Sequence, residues 1–323
     1  IKATFNEGQL DYAGIFQEVQ ELRQKEKVAG VRIHVSGQPM MVGWIYTYVD
    51  QILQVFLFTA VILIVLLVLR DGTRVAVLKA AAAGLLLAVI GLVVGTPPSV
   101  VIAVAVVYWL PATLMGTLLA VTRSLTLTLQ VSVLVAVLGM LVFFGIVGDP
   151  VAFWETELGA AAEIWRNLGA VELADSLTEG QAMLAAQMTM FIVTLLWTIY
   201  AATLVLGYKL FRQLPGETDR YGRFRELNFG RVIALIMALC SVVALLIGAA
   251  WLQNIAFVMF AIFWLQGLAI VHWMHGKEIL PGFAVAMVYV LMLPLSAVIV
   301  VALAVLGYID AWFDLRRRAP VAR

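Results

Sequence analysis

The chain is predicted to be all-α, a polytopic transmembrane helical bundle of about eight spans with a short extracytoplasmic helix–strand piece in front. Three observations carry that prediction. The 323 residues are 63% hydrophobic and only 13% charged, where soluble domains hold roughly 45–50% and about 25%, and the mean hydropathy is +1.00. No globular core hides that much apolar surface, so lipid is the solvent for most of it. From Gln51 to Gly307, apolar runs long enough to cross a bilayer follow one another. None of these runs contains a carboxylate, and the single cation within one, Lys79, sits near its end, where a long side chain snorkels to the headgroups. A self-sufficient proton pump carries a buried acid, so this function class is disfavoured.

Residues 1–50 form the extracytoplasmic piece. Leu10, Ile15, Phe16, Val19 and Leu22 recur at helical spacing while Glu18, Glu21, Arg23 and Lys25 take the other positions, which predicts an amphipathic helix. Val31–Val35 alternates as a strand and stops at Ser36-Gly37-Gln38-Pro39. Residues 51–323 form the transmembrane domain, with spans drawn at 52–70, 75–95, 99–121, 125–146, 186–208, 232–250, 254–273 and 282–307. Pro111 and Pro294 are expected to kink the third and last runs. Pro97-Pro98 and Trp251-Leu252-Gln253 are read as tight turns between spans.

Basic residues set the orientation. Arg70 and Arg74, then Arg123, then the cluster from Lys209 to Arg231 occupy alternate, cytoplasmic loops. Loop 147–185 carries seven carboxylates against Arg166 alone and faces outward, with residues 1–50. Strict alternation then sends Arg316-Arg317-Arg318 outside, against the charge bias, so the last run is the one whose single crossing is in doubt.

Two resemblances divide the chain near residue 72. Leu10-Asp11-Tyr12, Val31–Val35, Gly37-Gln38-Pro39 and Gly43-Trp44-Ile45-Tyr46, leading to Arg70-Asp71, are similar to part of an exporter of the RND superfamily (the MMPL-like branch, which moves lipids and hydrophobes). The resemblance implies the end of a porter domain entering a transmembrane helix. From about 73 onward the chain resembles the bacterial membrane family DUF2232, also called YybS-like. The carrying pieces are Arg123-Ser124, Gly148-Asp149-Pro150 with Phe153-Trp154, Phe224-Arg225-Glu226 before Gly230-Arg231, Gln266-Gly267-Leu268-Ala269, and the ending Gly307 to Arg318. That family's layout is similar to the substrate-binding membrane components of energy-coupling-factor vitamin transporters. The DUF2232-like part is expected to lack its usual first span, the RND-like segment standing in its place.

Candidate polar positions within the spans are Gln130, Gln187, Thr194, Thr198, Asn254, Gln266 and His272. Amides and hydroxyls in lipid need partners, so each either packs helices together or lines a polar site. Gly267 beside Gln266 is expected to let another backbone approach closely. His272 and His275 share a face at metal-pair spacing, but no third ligand accompanies them and no metal is expected. Trp154 and Trp165 are candidates for a lid over an outer-face site, and Arg220, Arg223 and Arg225 for docking a cytoplasmic partner. Cys240 is the only cysteine. Nothing resembles a nucleophile with its base, a phosphate-binding loop or a dinucleotide fingerprint, so catalysis and cofactors are not expected, nor is nucleic-acid binding. The expected partners are membrane lipids and a membrane or cytoplasmic protein, and the expected location is the bacterial inner membrane. Three readings follow: a transport-related substrate-binding component needing a separate energy source, an RND/MMPL-type exporter fragment, or a non-transporting scaffold.

Overall fold

The computed structural model describes residues 12–25, 38–94 and 98–318, and every regular element among them is helical. The chain divides into two units, residues 1–63 and 64–323. In the first, α1 (Tyr12–Lys25) leaves Ile15, Phe16 and Val19 half-buried and Glu18 and Glu21 exposed, as its spacing predicts, whereas Leu22 of the expected apolar face is exposed. The strand expected at Val31–Val35 and the Pro97 half of the Pro97-Pro98 turn lie outside the described residues. α2 (Gln38–Asp71) and α3 (Thr73–Val94) contain the first two runs drawn from sequence.

Among the described residues six helices are long and apolar enough to cross a membrane by length and composition; the expected number of about eight is not reached there. The first, Ile102–Thr122, joins α4 (Pro98–Val104), a π-turn (Ala105–Trp109) and α5 (Leu110–Thr122). Pro111 lacks an N–H and its ring displaces the carbonyl four residues back. The wider π-turn absorbs that misfit, and the released Val107 carbonyl accepts a hydrogen bond from the Tyr200 hydroxyl. The expected kink is thus a π-turn with a named partner.

Arg123, in the left-handed conformation at φ 51°, ends α5. Ser124 caps α6 (Leu125–Val147) by accepting from the Leu127 N–H at 3.3 Å. At the other end Gly148 takes φ 76°, Asp149 accepts from the Val151 and Ala152 N–H groups at 3.0 and 3.1 Å, and Pro150 opens α7 (Pro150–Asn167). This is the N-cap and first-turn chemistry a helix start requires. α8 (Val171–Glu179) follows, and both short helices of the acidic loop lead into α9 (Gln181–Phe211), the second-longest helix.

α10 (Gly230–Ile247) ends at Gly248, φ 69°, and α11 (Ala250–Ala261) starts two residues later. The turn is therefore at Gly248-Ala249, and Trp251-Leu252-Gln253 belongs to the first turn of α11, a correction to the drawn boundary. α11 continues into α12 (Phe263–Gly276) as one span that forms the centre of the bundle: 78% of its membrane window is buried, against 17–28% in the other five.

The last run is not one span. α13 (Gly282–Leu291) and α14 (Ser296–Phe313) are separate helices with the break around Pro294. A left-handed Asp314 then turns the chain into α15 (Leu315–Arg318).

Candidate functional site

Gln266 lies where α12 meets α14, and glycine makes the meeting possible. A Cβ on Gly267 would collide with the Leu303 carbonyl, and one on Gly307 with the Phe263 carbonyl. The two backbones therefore touch, which fulfils the expectation for Gly267. Gln266 is 0% exposed and all its polar capacity is used. Its Oε1 accepts from the Phe229 N–H at 2.7 Å, and its Nε2 donates to Asp310 Oδ2 at 2.8 Å and to Asn228 Oδ1 at 3.3 Å. Gln130 donates from α6 to the Phe229 carbonyl at 2.9 Å.

Asp310 is also 0% exposed. Its Oδ2 takes a second bond from Arg316 at 2.8 Å, and its Oδ1 accepts from the Leu315 N–H at 3.1 Å. Arg316, 9% exposed in its side chain, donates further to the Arg225 and Leu227 carbonyls at 3.0 and 2.9 Å. A buried ion pair is tolerable only when its remaining hydrogen-bonding capacity is met, and here it is. Asp310 and Arg316 thus belong to a buried knot that ties α6, α12, α14 and the segment before α10 together. The same contacts set the C-terminal tail against the basic segment, so the cations at 316–318 do not stand on the opposite side from it.

A cavity of about 530 Å³ lies among α5, α6 and α9, walled by Pro111, Met115, Met140, Trp154, Trp197 and Tyr200. Its few polar atoms are already engaged. Trp197 Nε1 donates to Ser132 Oγ at 3.0 Å, and Trp154 Nε1 to Thr189 Oγ1 at 2.8 Å. What faces the cavity is carbon. A second cavity, of about 570 Å³, lies among the ends of α6, α9 and α11 and the Gly148–Val151 turn. Thr189 lines both. Asn254, 7% exposed, lines the second. Its Nδ2 donates to the Ala250 carbonyl at 2.9 Å, while its Oδ1 is buried without a hydrogen bond. An unsatisfied buried acceptor costs about 1–3 kcal/mol, and this one belongs to a residue that lines the cavity.

A family model described as "Predicted membrane protein (DUF2232)" matches residues 40–311. The chain belongs to this family. No curated protein and no solved structure matches it. The DUF2232 match starts well before residue 72, so the division drawn there is not supported. The segment assigned to an RND/MMPL exporter is, from residue 40, part of the DUF2232 match, and the exporter resemblance is not supported. With six apolar helices of spanning length, the chain is an integral, multi-pass membrane protein.

Within this DUF2232 chain the sequence-chosen polar residues separate into groups. Gln130 and Gln266 join the knot. Asn254 lines the second cavity. Gln187, Thr194 and Thr198 are half-buried on α9, and the Thr194 hydroxyl is buried without a partner. His272 is elsewhere, its Nε2 2.8 Å from the Tyr289 hydroxyl and its ring edge-on to Phe224; among the described residues no group of three ligands surrounds it. Trp154 is a hydrogen-bonded wall of the first cavity, whereas Trp165 is exposed further along α7 and lines neither cavity. The two tryptophans do not form one lid. Arg220 pairs with Glu217 and covers the Phe211 and Tyr221 rings, Arg212 and Arg223 share Asp219, and Arg225 lies against Gly276.

Sequence reasoning missed Thr189, Asn228, Asp310 and Arg316. Asp310 had a signal: it follows Leu303 and Gly307 at helical spacing and so shares their face.

Proposed function

We propose that this DUF2232 protein is the ligand-binding membrane component of a transport system of the bacterial inner membrane. It takes a small amphipathic molecule from the outer side and depends on a partner protein for energy. The observation that carries this reading is that Thr189 lines both cavities, which makes them neighbours. One is walled by carbon and suits an apolar body; the other is lined in part by Asp149 and Asn254, polar side chains suited to a hydroxyl or amine head. The second cavity adjoins the start of the acidic loop, which the charge bias puts outside. The spans contain no carboxylate able to relay protons, since Asp310 is locked to Arg316 and Gln266, which supports an outside source of energy.

The test uses Gly139, which lines the apolar cavity and has nothing within 4 Å of a notional Cβ. Gly139→Leu adds bulk at the cavity wall from a position where the new Cβ meets nothing, and the helix gains roughly 1 kcal/mol in propensity. Protein purified in mild detergent is denatured and its released small molecules are measured by mass spectrometry. The expected result is a molecule retained by the natural chain, lost from Gly139→Leu and reduced in Asn254→Leu, with unfolding temperature unchanged or raised in the first variant. Equal recovery from all three proteins, or no retained molecule, would sink the reading.

A further inference from the structure

A third cavity, of about 610 Å³, is separate from these two and lies at the basic end of the bundle. The last turns of α9 form one wall through Val205, Tyr208, Lys209 and Arg212. The last turns of α12 form the opposite wall through His272, His275 and Gly276, and residues 219–225 close the gap. Both helices are long and apolar enough to span a membrane, which would set their final turns near headgroup depth.

Its charge is one-sided. Lys209, Arg212, Arg223 and Arg225 line it against one carboxylate, Asp219. Asp219 is already shared by Arg212 and Arg223, and among the described residues neither Lys209 nor Arg225 is paired with a carboxylate. Arg225 is held in place. Its main-chain carbonyl accepts from Arg316 at 3.0 Å, and its Nη1 sits 2.7 Å from where a Gly276 Cβ would stand, a space open only because residue 276 is glycine. A loop that only marked the cytoplasmic side would need no concave site and no glycine opposite a guanidinium.

We propose that this cavity binds a phosphate group, with Lys209 and Arg225 as its principal contacts. A guanidinium offers two parallel N–H donors to phosphate oxygens, and an ammonium adds a mobile point charge. The Phe224 and Val205 walls receive whatever apolar part the phosphate carries. The phosphate comes either from an anionic lipid headgroup, as basic pockets between spans on the cytoplasmic side commonly bind, or from a soluble phosphate compound. The site does not depend on the amphipathic-ligand reading, and its test leaves those cavities untouched.

The full chain is purified in neutral detergent with phosphatidylcholine, and its unfolding temperature is followed while phosphatidylglycerol or inorganic phosphate is added at constant ionic strength. The natural chain is expected to be stabilised by at least one of them. Lys209→Gln with Arg225→Gln is expected to weaken that ligand's apparent affinity at least tenfold, and the single Lys209→Gln, at an exposed position, to weaken it in part. Arg231→Gln removes the same charge from an exposed position outside the cavity and is expected to behave as the natural chain. Stabilisation by phosphatidylglycerol alone identifies a lipid headgroup, and by inorganic phosphate alone a soluble ligand. No stabilisation by either, or an equal loss in Lys209→Gln and Arg231→Gln, overturns the proposal.

Discussion

Asp310 and Arg316 show how one residue's effect depends on what its partner is left with. Arg316→Met leaves the Asp310 carboxylate buried beside Gln266 with its counter-charge gone. Breaking a buried pair from one side typically costs about 3–5 kcal/mol. We expect Arg316→Met to lower stability by that order, and Asp310→Asn combined with Arg316→Met to cost less than the sum of the single changes. Thermal unfolding in detergent followed by circular dichroism, run as a double-mutant cycle, checks both. At Gly267 the mechanism is contact alone. An added methyl meets the Leu303 carbonyl, and overpacking of this kind costs typically 1–3 kcal/mol; Gly267→Ala is expected to lower the unfolding temperature. Gln266 and Gly267 were legible in the sequence because a buried amide must find partners and a neighbouring glycine marks close approach. For Asp310 only its face was legible, through the helical spacing from Leu303 and Gly307; its burial was not, because it lies past the end of the apolar run. Its burial is created by a tail that turns back at the left-handed Asp314, a turn no periodicity announces.

Elements were most legible where turn chemistry is local. Arg123-Ser124 and Gly148-Asp149-Pro150 end and start helices through their own side chains and backbone, close to the ends that the apolar runs drew. The turn at Gly248 was missed because one glycine within apolar residues competes with the louder Trp251-Leu252-Gln253. The cavities were not legible at all, since Thr189 and Asn254 are 65 positions apart and meet only through the packing of α9 and α11. The Pro111 break combines both cases: the proline was visible, its partner Tyr200 was not. Tyr200→Phe should strand the Val107 carbonyl and cost about 1–3 kcal/mol. Pro111→Ala lets a regular helix re-form and should abolish most of that penalty, which unfolding measurements on the two singles and the double will show. Between α9 and α10 the basic segment is organised by Asp219. Burial raises its pKa, but the Arg223 hydrogen bond and the charges of Arg212 and Arg223 outweigh it and hold the carboxyl below its ordinary value. A depressed carboxyl contributes stability above its unfolded pKa, about 3.9, and loses it as pH falls through the folded value. Unfolding temperature should therefore drop on acidification below about pH 4, and Asp219→Asn should flatten that part of the profile.

The whole molecule turns on where its ends lie. Alternation of eight drawn spans sent the tail to the acidic side. The break between α13 and α14 removes the single crossing that counting assumed, and the Arg316 bonds to the Arg225 and Leu227 carbonyls tie the tail to the basic segment. The charge bias then holds throughout: basic residues 209–231 and 316–318 together, acidic residues 147–185 apart. Labelling can decide this, because Cys240 is the only cysteine and Cys240→Ser gives a silent background. Single cysteines would replace Gln213, Leu168 and Arg317, each exposed, and be treated with a membrane-impermeant maleimide before and after the membrane is opened. Leu168→Cys is expected to react in intact cells, and Gln213→Cys and Arg317→Cys only once the membrane is opened. If Arg317→Cys reacted together with Leu168→Cys, the native protein could not contain the Asp310–Arg316 knot, because Arg316 cannot reach the Arg225 carbonyl from the other side of the membrane.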